Sequence, residues 1–455
     1  MRHVQAEMKN SAAAPMQIDS EIVRAPLSFL GAFVSRQHIL SLGDQAIVSA
    51  TGFSTTFLIA RWSGSSQLGI YALGLSLLLS VVAFQDSLIL QPYQIQRFHP
   101  EGTAAERAGA SLALSILFAV GSILVLTVAS LGLLAWRATP ETIFMTWAIA
   151  GILPFALSRE FARRFAFAHL DIGRVFILDL AAATIQVSAL ALLGASGRMS
   201  ALSACAALGA ACAFPTAIWF YSARTEFTFL LRHVRTVFTE TWALGKWLLM
   251  GRITVQVQGY ITYWLAAAIG GVAVTGVYAA CMSIIGFANP LMGGLINIFM
   301  PKAVLAWKHG GGPGLWHETI QNAVRIAAVM TAFSLVVIFA GEQAMRILYH
   351  GKEFAGHRQT LVVLALAMSV GALGTPASIA LATMKRPRPI VVVTTVEAFL
   401  TTALVWTLLT EWGLLGAAYG LLVGNAAGAL GRWVALYVSV PKVSDPASVR
   451  RVLQE

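Results

Sequence analysis

Four ionisable side chains, Asp44, Asp86, Arg252 and Glu397, interrupt apolar stretches that are each long enough to cross a lipid bilayer. A charged side chain at the centre of a bilayer costs roughly 2.5–3.5 kcal/mol on insertion scales. Each of these residues therefore needs an ion-pair partner, a water-filled cavity or a role in function. Asp86 lies towards the predicted cytoplasmic end of its stretch, so the other three are the stronger candidates.

Arg252 begins a row of polar and aromatic side chains on one face of a predicted helix. At about 100° per residue, Gln256 and Tyr263 fall within about 40° of Arg252, and Tyr260 lies at the edge of the same arc. Lys246 lies at the predicted cytoplasmic mouth of this helix. Such a row is typical of a helix that lines a cavity, and the two cations could bind an anionic group of a substrate.

A second polar row, Asp44, Thr51 and Thr55, occupies one face of the first predicted helix, and we assign it to the same cavity. Glu397 lies near the middle of the eleventh predicted helix. Two other interpretations remain open. Arg252 could form a structural ion pair with Glu397 or Asp44, or one of these two carboxylates could carry a coupling proton or sodium ion.

The composition identifies the class of protein that must hold these residues. Of the 455 residues, 57% are hydrophobic and 11% are charged, whereas a soluble domain carries about 25% charged residues. So few charges cannot cover a water-soluble protein of this size. The three cysteines, Cys205, Cys212 and Cys281, lie in apolar stretches without a CxxC motif. We expect them to be packing residues, with neither a metal site nor a cofactor.

Twelve apolar stretches are long enough to span a bilayer. They lie near residues 40–62, 68–91, 108–135, 141–158, 174–194, 200–222, 243–268, 271–298, 320–341, 360–383, 388–410 and 414–438. The sequence thus predicts an all-α integral membrane protein. Its loops are short, it lacks the GxxxxGK(S/T) loop of ATP-driven pumps, and no catalytic constellation indicates an enzyme.

The distribution of basic residues predicts the orientation. With a cytoplasmic N-terminus, 24 of the 31 Lys and Arg residues fall on the cytoplasmic side. Six fall outside: Arg61, Arg137, Arg198, Arg346, Lys352 and Arg358. This bias predicts that both termini are cytoplasmic. It also explains the net charge of +11 by contact with anionic lipid head groups, so no nucleic-acid partner is expected.

The two halves of the chain resemble each other. Leu42-Gly43 and Gly69-Ile70-Tyr71-Ala72 in the first half correspond to Leu244-Gly245 and Gly276-Val277-Tyr278-Ala279 in the second, at offsets of 202 and 207 residues. Six helices per half place both halves in the same orientation, as in secondary transporters with a substrate site between the halves. The predicted organisation is a cytoplasmic tail and interfacial segment (1–38), an N-terminal lobe (39–222), a linker (223–242), a C-terminal lobe (243–440) and a tail (441–455).

Three motifs resemble one protein family. They are Ala60-Arg61-Trp62 leading to Gly69-Ile70-Tyr71-Ala72, Ile347-Leu348-Tyr349-His350-Gly351-Lys352-Glu353-Phe354, and Gly413-Leu414-Leu415-Gly416-Ala417-Ala418. In order and spacing they resemble bacterial polysaccharide flippases (Wzx-like) of the multidrug/oligosaccharidyl-lipid/polysaccharide exporter superfamily. The second motif carries an additional His350, and because it is polar and outside the membrane we expect a solvated loop there.

The resemblance implies two lobes around a central cationic cavity, in the bacterial inner membrane. Such a protein would move undecaprenyl-diphosphate-linked oligosaccharide to the periplasmic leaflet by alternating access, for exopolysaccharide or O-antigen assembly. Its expected partners are the lipid-linked oligosaccharide, membrane lipids, a polysaccharide polymerase or chain-length regulator, and H⁺ or Na⁺ as a coupling ion. The alternatives are a cation-coupled multidrug exporter of the same superfamily and a membrane component or enzyme of polysaccharide polymerisation.

Overall fold

The computed structural model describes residues 36–96, 103–135, 140–349 and 352–443, which form helices joined by short turns, with no β-strand among them. The predicted N-terminal tail up to residue 35 and the C-terminal residues from 444 lie outside the described residues. Eight continuous helices of the described chain are long and apolar enough to cross a membrane. Three of these eight contain a glycine with a positive φ at which the helix turns back.

The first long helix, Arg36–Gln85, turns at Gly64, where φ is 77°. It therefore gives α1 (residues 36–63) and α2 (residues 65–96), the latter extended by a π-helical segment, Asp86–Leu90, and by Gln91–Gln96. Five more helices follow: α3 (Ala104–Ala135), α4 (Pro140–Ala168), α5 (Ile172–Ala195), α6 (Ala201–Ala223) and α7 (Leu231–Leu265), which ends in a π-helical turn, Ala266–Gly270.

The second half repeats this pattern of turns. Gly271 (φ 85°) separates α7 from α8, which runs from Val272–Ile285 into the first arm of Ala288–Leu348 and ends at residue 310. Gly311 (φ 55°) begins the return as α9 (residues 312–348). Helix α10 comprises Arg358–Ala372 and Thr375–Thr383, and Pro387–Val443 turns at Gly413 (φ 60°) to give α11 (387–412) and α12 (414–443).

The described residues thus form twelve helices, α1 to α12, that match the twelve predicted stretches in order. The predicted fold class, an all-α integral membrane protein, is confirmed. The largest difference is at α7, which begins at Leu231, 12 residues before the predicted start at residue 243. This first part is too polar for a hydropathy pattern to detect. It is held to α3 by the ion pair between Arg107 and Glu240, at 2.9 Å.

The two lobes, α1–α6 and α7–α12, meet most closely where α2 crosses α8. A Cβ added to Gly69 would lie 1.8 Å from the carbonyl oxygen of Val272, and one added to Gly276 would lie 1.8 Å from that of Ser65. The contact is reciprocal at the 207-residue offset, so the glycines paired by the sequence repeat touch each other. We call the end of the bundle with the turns at Gly64, Gly271 and Gly413 the Gly64 end, and the opposite end the basic end.

Away from this crossing the lobes are less tightly packed. A Cβ added to Gly52 of α1, Gly251 or Gly259 of α7, or Gly293 of α8 would meet no atom within 4 Å. Gly52 borders a cavity inside the N-terminal lobe, whereas Gly251, Gly259 and Gly293 mark open space beside α7 and α8. The closest approach of the lobes is at the Gly64 end, and α7 also contacts α2 and α3 of the other lobe nearer to the basic end.

Candidate functional site

Arg252 lies nearer to the basic end than the sequence indicated. It precedes the turn at Gly271 by 19 residues, which corresponds to about 28 Å along a helix that rises 1.5 Å per residue. The hydrocarbon core of a bilayer is about 30 Å thick. Arg252 therefore lies about one bilayer thickness from the Gly64 end, near Asp86 of α2. We call the region between α1 and α2 of one lobe and α7 and α8 of the other the interlobe space.

The guanidinium of Arg252 forms no hydrogen bond or ion pair with any residue that the structure describes, and its Nε is buried without a partner. It lies close enough to Asp86 and Tyr260 for an electrostatic interaction with each. Asp86, however, already accepts hydrogen bonds from Gln91 at 2.7 Å and from Arg164 at 3.1 Å. Arg252 is therefore left as a partly buried cation without a hydrogen-bonded counter-ion.

Gln256 does not point into open space. Its Nε2 donates to the carbonyl of Leu79 and to the hydroxyl of Ser80, both at 3.4 Å, and Trp264 donates to Ser76 at 2.8 Å. Together with the close approach of Gly245 to the Leu88 carbonyl, these contacts hold α7 against α2 along most of its length. This side of the interlobe space is closed.

The two tyrosines of the predicted row have different surroundings. Tyr260 is half-buried beside Arg252, and its ring lies 6.2 Å from that of Tyr263. Tyr263 packs edge-on against Tyr278 of α8 at 4.7 Å and belongs to the apolar core. Lys246 is exposed at the basic end, 5.6 Å from the ring of Trp247. Arg252, Tyr260 and Lys246 are thus the members of the row that can reach a ligand.

The row on α1 faces a different space. Thr51 and Thr55 line a cavity of about 150 Å³ inside the N-terminal lobe, together with Asp179 and Gln186 of α5. Gln186 Nε2 donates to the hydroxyl of Thr55 at 2.9 Å. The grouping of Asp44, Thr51 and Thr55 with Arg252 in one cavity is therefore corrected, because α1 turns these side chains towards α5.

Asp44 belongs to an ion-pair cluster at the basic end of the N-terminal lobe. Arg163 of α4 lies 3.6 Å from Asp44 and 2.7 Å from Asp179, and Arg159 donates to Asp179 at 2.6 Å. Asp44 Oδ1 is buried and accepts no hydrogen bond. The possible pairing of Asp44 with Arg252 is excluded by this geometry, since the arginine that Asp44 meets comes from α4.

The same cluster extends to α2 through Glu160 and Arg164. Glu160 accepts from Arg163 at 3.0 Å and from Arg164 at 2.7 Å, and Arg164 reaches Asp86. The cluster thus joins four carboxylates to three guanidinium groups: Asp44, Asp86, Glu160 and Asp179 with Arg159, Arg163 and Arg164. One negative charge is left over, and Arg252 is the basic side chain of the other lobe that lies near it.

Glu397 has its partner in its own lobe. It is buried in α11 with 2% of its surface exposed and pairs with Arg432 of α12. Gln258 of α7 also hydrogen-bonds this carboxylate, and Gly428 leaves the space that it occupies, since a Cβ there would lie 2.1 Å from the carboxyl carbon. An Arg252–Glu397 ion pair is therefore excluded in this structure.

Several of these partners were missed by the sequence analysis. Arg159, Arg163 and Arg432 were counted among cytoplasmic loop residues, but they lie in helices α4 and α12. The four-residue spacing of Arg159 and Arg163, which places both on one helix face, and Asp179 inside an apolar stretch were the available signals. The three cysteines are buried.

Solved structures with a similar fold are membrane transporters. The chain is similar to an inward-facing multidrug resistance MATE family transporter of the MOP superfamily, with 14% identity, 91% of this chain and 96% of that chain covered, and a TM-score of 0.67. An outward-facing transporter of the same description is 12% identical, with 89% of this chain and 94% of that chain covered and a TM-score of 0.61. A third similar structure is a MOP superfamily transporter from Pyrococcus furiosus, described as having a binding pocket of reverse polarity. It is 13% identical, with 90% of this chain and 95% of that chain covered and a TM-score of 0.60.

No protein-family model and no curated protein matches the sequence. At 12–14% identity these likenesses describe the fold alone. The chain is a multi-pass membrane protein whose two-lobed fold is similar to that of these solved structures. This agrees with the superfamily that its motifs resemble.

Proposed function

We propose that this protein carries an undecaprenyl-diphosphate-linked oligosaccharide across the bacterial inner membrane by alternating access. The observation that supports the proposal most directly is Arg252, a partly buried guanidinium of α7 without a hydrogen-bonded counter-ion among the described residues. A cation held in that state binds an incoming phosphate at little cost, because no existing ion pair has to be broken.

The surroundings of Arg252 suit the other parts of such a substrate. Tyr260 offers an aromatic face and a hydroxyl for a sugar, and exposed Lys246 adds a second cation nearer to the basic end. Open space beside Gly259 of α7 and Gly293 of α8 leaves room for a head group, while a polyprenyl tail can remain in lipid between the lobes. The basic end is the end that the positive-inside rule predicts to be cytoplasmic, with both termini on that side.

Alternating access fits a bundle whose lobes cross most closely at one end. Gly69 and Gly276 form that crossing at the Gly64 end, and the TM-score is 0.67 for the inward-facing transporter and 0.61 for the outward-facing one. We propose that the basic end accepts the substrate in this conformation. A periplasmic polymerase or chain-length regulator would then receive the product.

A coupling proton or sodium ion has two candidate carriers. Glu397 is fully engaged by Arg432 and Gln258, so taking up an ion there requires breaking a buried pair. Asp44 belongs to a cluster with one carboxylate more than guanidinium groups, and its Oδ1 is without a hydrogen bond. Asp44 is therefore the better candidate for coupling.

The alternative is a cation-coupled multidrug exporter, which the descriptions of the similar structures favour. An organic cation requires a carboxylate that is free to bind it. Asp44, Asp179 and Glu397 each already face an arginine of their own lobe, whereas the group without such a partner is basic. The charges in the interlobe space therefore favour an anionic substrate.

A strain that lacks this gene tests the proposal, complemented with wild type, Arg252→Ala or, as a control on the same helix, the exposed Arg235→Ala at matched protein levels. We expect undecaprenyl-linked glycan to accumulate on the cytoplasmic side in the deletion. Wild type and Arg235→Ala should restore surface polysaccharide, and Arg252→Ala should not. Normal polysaccharide in the deletion with altered sensitivity to cationic drugs would instead support the exporter.

A further inference from the structure

The segment between α9 and α10 was expected to be a solvated loop, but two of its aromatic side chains are buried, whereas Glu353 is exposed. Tyr349 is 1% exposed and Phe354 is 2% exposed, and their rings lie 5.3 Å apart. The Tyr349 hydroxyl forms a hydrogen bond with Ser283 of α8. These two aromatic anchors fix the position of Glu353, which lies between them in the chain.

Glu353 reaches across to the other lobe. Its Oε2 accepts hydrogen bonds from the backbone N–H of Ser65, at 3.1 Å, and from the Ser65 hydroxyl. Ser65 is the first residue of α2, directly after the turn at Gly64, so the carboxylate of one lobe caps the N-terminus of a helix of the other. A negative charge at this position is favoured by the unpaired N–H groups and by the helix dipole.

Both hydrogen bonds favour the ionised carboxylate and lower the pKa of Glu353 below its usual value of 4.5. The side chain is therefore charged at neutral pH. Hydrogen bonds to a charged group are about twice as strong as those between neutral groups. By comparison, the Gln256 contacts with α2 are neutral and long, at 3.4 Å.

Ser65 takes part in two contacts between the lobes. Its N–H and hydroxyl donate hydrogen bonds to Glu353. Its carbonyl oxygen faces Gly276 so closely that a Cβ added there would lie 1.8 Å from it. The glycine crossing allows close approach but supplies little directional attraction by itself. The Glu353–Ser65 contact supplies that attraction at the same point.

A pocket of about 520 Å³ lies directly beside this contact, lined by Ser65, Glu353 and His357, and by the ends of α7 and α11. A carboxylate that loses its hydrogen bonds must be solvated, otherwise its release is very costly. The pocket gives water access to Glu353, so the contact can break and form again.

We propose that Glu353 and Ser65 form a latch that holds the Gly64 end closed and must release for that end to open. The latch does not depend on which substrate is carried. In this latch, the buried rings of Tyr349 and Phe354 fix the segment in place, and the carboxylate of Glu353 binds the other lobe.

Distances between two spin labels test the latch without any substrate. Labels at Ser196→Cys, between α5 and α6, and Glu411→Cys, at the end of α11, report the separation of the lobes at the Gly64 end. Both positions are exposed, and the three native cysteines are replaced by alanine. The full-length protein is measured in lipid nanodiscs.

In the wild type we expect one predominant short distance. Glu353→Gln removes the charge and should increase the population with a long distance about tenfold, in line with a hydrogen bond to a charged group. Ser65→Ala keeps the backbone donor and should give a smaller increase. The control is Glu342→Gln, which removes a carboxylate of α9 that pairs with Arg346 within its own helix.

A distance distribution for Glu353→Gln and Ser65→Ala that equals that of the wild type and of Glu342→Gln would overturn the latch. If Glu353→Gln does not fold, as judged by gel filtration, Ser65→Ala decides the question alone. Because no substrate is present, this result is independent of whether the protein carries a lipid-linked oligosaccharide.

Discussion

Asp44, Asp179 and Glu397 each meet an arginine of their own lobe, whereas Arg252 forms no hydrogen bond or ion pair with any described residue. Burying a charge without a partner is costly unless the site has access to water or to a ligand. Arg252 is partly exposed, so water can reach its guanidinium. Arg252 thus differs from the arginines that meet Asp44, Asp179 and Glu397, each of which pairs with a carboxylate of its own lobe.

Replacing Arg252 by alanine should weaken binding of a soluble isoprenoid diphosphate, such as farnesyl diphosphate, by a factor of ten or more. The reason is that a hydrogen bond to a charged group contributes about 1.5–3 kcal/mol, and 1.4 kcal/mol corresponds to a factor of ten. Arg252→Lys, which keeps the charge, should retain part of the affinity. Isothermal titration calorimetry on the purified protein measures this, and equal affinities for wild type and Arg252→Ala would contradict the assignment.

Removing one partner of the buried pair Glu397–Arg432 should be strongly destabilising. Glu397→Gln leaves the guanidinium of Arg432 without its counter-ion, which typically costs about 3–5 kcal/mol. The double variant Glu397→Gln/Arg432→Met should recover part of this loss, because no unpaired charge remains. Unfolding of the wild type, Glu397→Gln, Arg432→Met and the double variant in a detergent titration gives the coupling energy, and additive losses would show that the two residues do not interact.

Among the helices, α11 and α12 are joined by a row of glycines on one face of α12. A Cβ on Gly416 would lie 1.9 Å from the Leu408 carbonyl, and one on Gly420 would lie 2.8 Å from the Val405 nitrogen. The four-residue spacing continues through Gly424 and Gly428. Small residues at this spacing let two membrane helices approach closely, and at Gly428 they also make room for Glu397.

We expect Gly416→Ala to lower the midpoint of thermal unfolding, because overpacking of a tight contact costs about 1–3 kcal/mol. Gly293→Ala in α8 is the matched control, since a Cβ there meets no atom within 4 Å. The measurement is thermal unfolding of the purified proteins in one detergent. Equal midpoints for the two variants would show that α11 and α12 do not pack through this face.

The sequence predicts the transmembrane helices better than it predicts which side chains contact each other. Twelve apolar stretches of spanning length are visible without any knowledge of contacts, and all twelve helices are found. The first part of α7 was missed because its stability comes from contacts such as Arg107 with Glu240, which are far apart in the chain. For the same reason a single sequence could not show that Glu397 meets Arg432 rather than Arg252.

The whole molecule consists of two lobes that are joined at the Gly64 end. Glycines at positions 69 and 276 form this junction reciprocally, and the sequence repeat had already paired them. The repeat was detectable because close approach of two helices restricts these positions to glycine. Which end of the bundle is closed could not be predicted, since it depends on how the two lobes are oriented in space.

Cross-linking the Gly64 end should stop transport if the lobes must separate there. Ser66→Cys on α2 and His357→Cys before α10 line the same pocket from opposite lobes, so a bifunctional thiol reagent can join them. We expect the cross-linked protein to be inactive and to regain activity when a cleavable linker is reduced. Each single-cysteine variant, treated in the same way, is the control, and full activity after complete cross-linking would contradict alternating access.

The central claim is that the protein moves an anionic lipid-linked oligosaccharide through a site that contains Arg252. The most direct measurement reconstitutes purified wild type and Arg252→Ala into liposomes with a fluorescent undecaprenyl-diphosphate-linked oligosaccharide. A membrane-impermeant reagent that quenches label in the outer leaflet follows translocation over time. The account predicts that wild type makes the inner pool accessible and that Arg252→Ala slows this at least tenfold. Translocation no faster than in protein-free liposomes, with the wild type folded, would contradict it.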